Sequence, residues 1–265
     1  MLDATHQVKL QRAKGRVVAG FCGPDNRLRD LHQSGSLKAL LPRNHAPVPD
    51  VVLVNTAGGL TGGDDYRIDI HAHDGASATV ATQTAERVYK ASQGVARMDV
   101  HLKAKGGATV HWMPQETILF DQSAIARTIT ADLDADSRLL IVEPVIFGRK
   151  AMGETLQTVS FSDQWRIRVD GRLIHAEATR ITGDFIQYQG IGCLNGARTT
   201  ATILYVGPDA MDRLDEARAL DVPATAWGGK LVVRLMHDDA RAMRRQLTEF
   251  LRNFRGCDLP RVWTM

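Results

Sequence analysis

Apolar residues recur at every second position through the central part of the chain. Between residues 64 and 143 they alternate with polar residues, for example over 76–80, 98–102 and 125–133. A two-residue period places alternate side chains on opposite faces of a strand. Because no helical pattern separates these segments, we predict a mainly β chain of consecutive antiparallel strands, arranged as a sandwich or in a β-helix-like way.

Glycine and aspartate residues mark the turns between these predicted strands. Gly106-Gly107 follows the strand at 98–102 and precedes an apolar alternation from Ala108 to Trp112, which predicts a hairpin. Asp170-Gly171 separates two further alternating segments and predicts a second hairpin. At 265 residues the chain fits one large domain or two small ones, and we expect a single domain over residues 1–265.

The segment 51–65, VVLVNTAGGLTGGDD, is the richest in glycine. Its strand-like start leads into four glycines, which are Gly58, Gly59, Gly62 and Gly63. A phosphate-binding loop would need a lysine after the glycines, whereas here two carboxylates follow. The alternation after Asp65 indicates a strand rather than the helix that a dinucleotide-binding loop opens. We therefore favour a structural turn between two strands over a nucleotide site.

Residues 238–254 carry the clearest helical pattern, and 208–220 a weaker one. Asp238 or Asp239 can cap the helix, and apolar residues from Met243 to Phe254 recur with a period of 3.6 residues. The opposite face carries five arginines: Arg241, Arg244, Arg245, Arg252 and Arg255. This face is either solvated or a docking surface for an acidic partner, because arginine is favoured at interfaces.

Composition narrows the class of function. The net charge of +3 is too small to indicate nucleic-acid binding, and the arginine face lacks interleaved aromatic residues. No run of about 18 apolar residues occurs, so we expect no membrane span. The three cysteines are far apart, which disfavours a zinc cage or a disulfide framework and indicates a reduced, cytoplasmic protein.

Two glutamates lie on otherwise apolar strand faces. Glu143 shares its face with Ile141 and Val145, and Glu86 lies between Thr84 and Val88. A buried carboxylate is costly unless it is paired, hydrogen-bonded or exposed to internal water. Such acids could line a wet path for a divalent cation, or they could pair with Arg87 or Arg149 in a structural network.

Two other pairs of titratable residues are candidates for a metal site or a catalytic site. His175 and Glu177 share a strand face and are candidate metal ligands. Glu116 and Asp121 resemble the paired carboxylates of a glycosidase, but on a regular strand their Cα atoms would lie roughly 16 Å apart. The chain contains no hydrolase or metalloprotease motif, which argues against an enzyme.

Several short motifs occur in order along the chain. They are 55–64 (NTAGGLTGGD), 82–90 (TQTAERVYK), 114–121 (PQETILFD), 148–154 (GRKAMGE) and 260–263 (PRVW). Together they resemble the segments of the urease accessory protein D family, UreD, called UreH in some species. The resemblance covers nearly the whole chain.

The resemblance implies a β-rich, non-enzymatic factor that binds apo-urease and recruits UreF and the GTPase UreG. Proteins similar to this one help to load nickel into urease, so nickel would be in transit and no cofactor would be tightly bound. The implied lining carboxylates of a nickel path are Asp64, Glu86, Glu143 and Glu177. The alternative function is a β-rich enzyme acting on a carbohydrate or nucleotide, through Glu116 and Asp121 or the glycine turn.

Overall fold

The computed structural model of the chain describes residues 11–43 and 46–264. The predicted domain, 1–265, therefore extends beyond the described residues at both ends. Within them, seventeen strands form one sheet of seven strands and one of ten. In chain order the strands are β1 (Lys14–Cys22), β2 (Arg27–Gly35), β3 (Leu37–Leu40), β4 (Asp50–Asn55), β5 (Asp65–His73), β6 (Ser77–Thr82), β7 (Glu86–Val88), β8 (Ala96–Lys105), β9 (Thr109–Trp112), β10 (Thr117–Leu119), β11 (Ser123–Leu133), β12 (Arg138–Phe147), β13 (Thr158–Val169), β14 (Arg172–Asp184), β15 (Thr199–Val206), β16 (Ala224–Trp227) and β17 (Lys230–His237).

Parallel pairing dominates the centre of both sheets. The seven-stranded sheet has the order β14-β13-β11-β8-β5-β1-β2, and its five strands from β13 to β1 are parallel. The main path of the other sheet runs β16-β17-β15-β12-β9-β6-β4-β3, with β4, β6, β9 and β12 parallel. From β4 to β13 the chain passes back and forth between the sheets, so each circuit adds one strand to the seven-stranded sheet and one or two strands to the other. The mainly β, β-helix-like prediction is confirmed.

The prediction of antiparallel pairing between consecutive strands is wrong for this central part. Gly106-Gly107 carries the chain from β8 in one sheet to β9 in the other instead of closing a hairpin. A two-residue period defines which side chains share a face, but it does not identify the neighbouring strand. The hairpin at Asp170-Gly171 is confirmed, because β13 and β14 are antiparallel and both turn residues have positive φ, 48° and 77°.

The main core lies between the two sheets. Alternate residues of most strands point into it, such as Ile68 and Ile70 of β5, Val100 of β8 and Ile141 of β12. All of these side chains are almost fully buried. The inward positions of neighbouring strands are in register, so apolar side chains stack in rows along the coil.

Helix α2 (Ala240–Arg255) covers the outer face of the ten-stranded sheet. Asp239 caps it by accepting hydrogen bonds from the backbone N–H groups of Arg241 and Ala242, both at 2.9 Å. Its apolar face packs on the outward side chains of the sheet in a second core, which contains Met243, Leu247, Phe250, Leu251 and Phe254 together with Leu140, Val142 and Ile203. The predicted C-terminal amphipathic helix is therefore confirmed.

The helix predicted at 208–220 is shorter than expected. Helix α1 covers Leu214–Ala219, and turns occupy the residues from Pro208 to Arg213. Ala217 is its buried residue, whereas Met211 lies in the preceding turn and is 46% exposed. Within the described residues, neither helix is long and apolar enough to cross a membrane.

Candidate functional site in the acid-lined interior

The glycine turn packs closely against β7 and against Tyr89, which follows that strand. A Cβ atom on Gly59 would lie 2.6 Å from the carbonyl oxygen of Arg87 and 2.4 Å from Cε2 of Tyr89. Leu60 N–H donates to the Arg87 carbonyl, and Tyr89 N–H donates to the Leu60 carbonyl, each at 2.8 Å. The turn carries the chain from β4 in one sheet to β5 in the other, and no helix follows Gly63. Glycine at position 59 therefore lets the backbone of the turn lie directly against Arg87 and Tyr89.

Asp64 fixes the end of this turn. Its Oδ1 accepts from the N–H of Ala13 and its Oδ2 from the N–H of Thr61, both at 2.8 Å, and the residue is 4% exposed. It also lines an open cleft of about 530 Å³ together with Ser36, Leu60 and other residues. Both carboxylate oxygens thus already accept backbone hydrogen bonds.

Glu86 lines an interior cavity of about 100 Å³. Asn55 Nδ2 donates to its Oε1 at 3.1 Å. Burial, with a smaller contribution from the charge of Asp64, raises the pKa of Glu86 to about 7 despite the opposing effect of the Asn55 hydrogen bond. The fold therefore favours a protonated Glu86 at acidic pH, and the group ionises near neutrality.

Glu143 belongs to a buried network that joins the two sheets. Its Oε2 contacts the guanidinium of Arg127, and its Oε1 accepts from Trp112 Nε1 at 2.7 Å. The same guanidinium donates to Asp163 through Nε at 3.0 Å and Nη2 at 2.5 Å, and Trp165 Nε1 donates to Asp163 Oδ1 at 3.0 Å. Every carboxylate oxygen of this network therefore has a donor.

Opposing effects act on ionisation within the network. Burial raises the pKa of Glu143, and the Arg127 charge works against that rise. Arg127 itself keeps its proton, because the two carboxylates more than offset its own burial and raise its pKa. The arginine, which is 3% exposed, is thus a permanent cation between two acids. When both acids are ionised, the network carries a net charge of −1.

A second interior cavity, of about 180 Å³, begins on the other side of this network. Glu143, Asp163, Glu177 and Arg234 are among its lining residues. Glu143 also lines the cavity that contains Glu86, so it is a lining residue of both spaces. Three of the four predicted path carboxylates therefore line two adjacent cavities, whereas Asp64 lies on a separate cleft.

Glu177 has two neighbours with nitrogen atoms. Arg234 Nη2 donates to its Oε2 at 2.6 Å, and His175 Nε2 lies 3.6 Å from the same oxygen, slightly beyond hydrogen-bond distance. Burial disfavours the charge of Glu177, but the interactions with His175 and Arg234 prevail and lower its pKa to about 2. His175 is 6% exposed, and its Nε2 has no hydrogen-bond partner. Within the described residues, no group of three or more His, Cys, Asp or Glu side chains could hold a metal ion.

The arginines of α2 divide into two groups. Arg244 donates to Gln115 Oε1 at 2.5 Å, to Glu116 Oε1 at 2.9 Å and to the Trp263 carbonyl at 3.0 Å. Arg255 also bonds within the chain, to His111 and Thr79. Arg241, Arg245 and Arg252 are exposed, so these three, and not the whole stripe, face solvent.

Two expectations about isolated acids can be compared with the structure. Glu116 contacts Arg244, and Asp121 accepts from the backbone N–H groups of Gln157 and Thr158, so each has its own partners. Glu143 pairs with Arg127 rather than with Arg87 or Arg149, the two partners considered from the sequence. Arg127 was missed, although its position between Ile125 and Ile129 on one strand face was the available signal.

The sequence model of the UreD urease accessory protein family matches residues 11–264. A protein named urease accessory protein UreD from Dinoroseobacter shibae is 45% identical over 97% of this chain and 94% of its own length. Proteins of the same name from Azorhizobium caulinodans and Rhizobium etli are 42% and 43% identical, each over 96% of this chain and 97% and 96% of their own lengths. The match runs through the glycine turn, the interior acids and the C-terminal helix, and the chain therefore belongs to the UreD family of urease accessory proteins.

Proposed function

We propose that this chain is a non-enzymatic urease maturation factor. It binds apo-urease, recruits UreF and the GTPase UreG, and helps to deliver nickel to the urease active site. Family membership supports the maturation role, since the relatives are named as accessory proteins of urease. Cys22, Cys193 and Cys257 are free thiols, which fits our proposal of a cytoplasmic location.

We further propose that nickel passes through the interior of the β body. The observation that carries this proposal is the position of Glu143 on the walls of both interior cavities. Glu86 would provide oxygen ligands on one side of it, and Glu177 on the other. Carboxylates spaced in this way hold nickel weakly compared with a cluster of imidazoles or thiolates, and a transit path requires weak binding.

His175 would add one nitrogen ligand at the Glu177 end of the path. Its buried Nε2 lacks a hydrogen-bond partner and lies beside the Glu177 carboxylate. A neutral imidazole with a free lone pair is a good ligand for nickel. Arg234 forms an ion pair with the Glu177 carboxylate, so an entering cation would have to compete with its guanidinium.

The test is to co-express the chain with the urease subunits, UreF and UreG, and to measure nickel per urease active site. Glu86→Gln and Glu143→Gln remove the carboxylate charge and leave the side-chain volume almost unchanged. Glu249→Gln on the exposed face of α2 is the matched control. We expect the two interior variants to retain their partners but to yield urease with less nickel. Unchanged nickel content in both interior variants would exclude the interior path.

The scaffold role has its own test, which is independent of the path. The tagged wild-type chain should retain the urease subunits and UreF on purification from the same co-expression. If it retains neither, the proposed maturation function fails. If it retains both while nickel content is insensitive to Glu86 and Glu143, the scaffold remains and the interior path fails.

A further inference from the structure

A groove beside the N-terminal end of α2 exposes part of the outer face of the ten-stranded sheet. Ile118 of β10 and Ile146 of β12 are register partners and are partly exposed there. They lie on the same outward face as Leu140 and Val142, which α2 covers further along β12. The groove encloses about 500 Å³, and Met152 at its margin is 76% exposed. Helix α2 thus covers this apolar face only in part.

Cations surround the apolar floor. Lys150, Arg198 and Arg241 line the groove. The charges of Lys150 and Arg241 act on Asp239 and help to lower its pKa. Arg149 also lines it but is neutralised by Glu154 at 2.8 Å. The remaining lining acids are engaged locally, because Asp238 lies 2.9 Å from His237 Nδ1 and Asp239 caps α2. Even with Arg149 neutralised, three cations line the groove against two acids, so the lining has a net positive charge.

The surroundings limit what can bind. Strand β10 is hydrogen-bonded to β12 on one side and to β7 on the other, so an added β-strand would find no free edge at Ile118. The Asp239 carboxylate already accepts from the first N–H groups of α2, which disfavours a phosphate at that helix end. An occupant must therefore lie across the face and make contact through side chains.

Resting on the maturation role proposed above, we infer that this groove docks an acidic amphipathic helix of a partner protein in the urease maturation complex. Apolar residues of that helix would cover Ile118, Ile146 and Met152, and acidic residues would face Lys150, Arg198 and Arg241. Helix α2 already covers the neighbouring part of the same face, so the docked helix would extend the existing helical layer. A flexible methionine and exposed arginines are side chains typical of protein interfaces.

The first test is charge reversal in the full complex. The triple variant K150E/R198E/R241E is compared with R27E/R97E/R180E, which reverses three exposed arginines on the seven-stranded sheet. Affinity for the co-expressed urease subunits, UreF and UreG is measured with each purified partner. We expect the groove variant to lose at least tenfold in affinity for one of these partners. Its remaining binding to that partner should depend less on salt concentration, and the control variant should show neither change.

The second test identifies the occupant. A photo-cross-linking amino acid replaces Met152, whose exposed side chain makes misfolding of the variant improbable, and mass spectrometry locates the cross-link in the assembled complex. The expected site is an acidic amphipathic helix. A cross-link to a segment without acidic residues, to nucleic acid or lipid, or to nothing would overturn the inference.

The two proposals fail in different ways. If wild type retains its partners and the groove variant binds all of them as tightly, the groove inference fails and the scaffold role remains. If wild type retains no component of the complex, the maturation role fails and the groove inference fails with it. Circular dichroism of both triple variants confirms that they are folded.

Discussion

The guanidinium of Arg127 on β11 contacts the carboxylate of Glu143 on β12, so a buried ion pair joins the two sheets across the core. Removing the cation would leave the carboxylates of Glu143 and Asp163 buried without a counter-charge. We predict that Arg127→Met lowers the free energy of unfolding by about 3–5 kcal/mol. Urea denaturation of the purified variant measures this loss.

Arg16→Met is the matched control for the buried pair. Arg16 lies 3.5 Å from Asp69, and its side chain is 51% exposed. Asp69 is buried but keeps its ion pair with Arg67 at 3.1 Å when Arg16 is replaced. Loss of the exposed Arg16 should therefore lower the free energy of unfolding by less than about 1 kcal/mol. Equal losses in the two variants would show that the Arg127 network does not stabilise the fold in the way its burial implies.

Glu86 should make stability depend on pH. Its pKa is raised from 4.5 to about 7 in the folded chain, so the protonated form is favoured and its stabilising contribution is complete below about pH 4.5. That contribution is lost as the pH rises through 7, because the partly buried carboxyl must then ionise. The difference in free energy of unfolding between Glu86→Gln and wild type should therefore shift by about 1–3 kcal/mol in favour of Glu86→Gln between pH 5 and pH 8.

Urea denaturation of both proteins at several pH values between 5 and 8 tests this prediction. Glu249→Gln again serves as the control, because its side chain is exposed and should show the wild-type profile. Parallel profiles for wild type and Glu86→Gln would contradict the raised pKa.

The glycine turn offers two neighbouring positions with different surroundings. At Gly59 an added Cβ would collide with the Arg87 carbonyl at 2.6 Å, whereas at Gly58 no atom lies within 4 Å. Both residues have positive φ, 154° and 80°. We predict that Gly58→Ala lowers the free energy of unfolding by about 1 kcal/mol, because of backbone strain. Gly59→Ala should lower it by at least about 2 kcal/mol, because steric overlap adds to the strain. Equal midpoints of urea denaturation would refute the close approach.

Two successive arginines of α2 should behave differently. Arg244 bonds to Gln115, Glu116 and Trp263, and its guanidinium lies 4.1 Å from the centroid of the Trp263 ring. Arg244→Ala should therefore lower the free energy of unfolding by about 1–3 kcal/mol, whereas the exposed Arg245→Ala should change it by less than about 0.5 kcal/mol. Thermal denaturation of both variants measures the difference, and similar melting temperatures would contradict it.

Local chemistry explains why α2 and the strand faces could be predicted. Asp239 caps the helix at one of the two expected positions, and Met243 to Phe254 are buried at the expected period. The faces of β11 also follow the sequence pattern, since every second residue from Ser123 to Leu133 is buried. These features depend on residues close together in the chain, which is why a single sequence contains them.

Long-range pairing could not be predicted in the same way. Nothing in the alternation of Met98, Val100 and Leu102 indicates that β8 lies between β5 and β11 in a parallel sheet. The partner of Glu143 was equally out of reach, because Arg127 lies sixteen residues away and in the other sheet. The sequence identifies a costly buried acid, and the fold determines which cation offsets its charge.

The coiled path of the chain also has a consequence for its synthesis. Ile68 pairs with Val100, and Val100 pairs with Ile129, so each circuit rests on the one made before it. A nascent chain emerging from the ribosome can therefore add circuits in order, but its growing end keeps an unpaired strand edge until the next circuit arrives. A chain interrupted before β14 would leave β13 as such an edge, and we expect truncated products of this kind to aggregate.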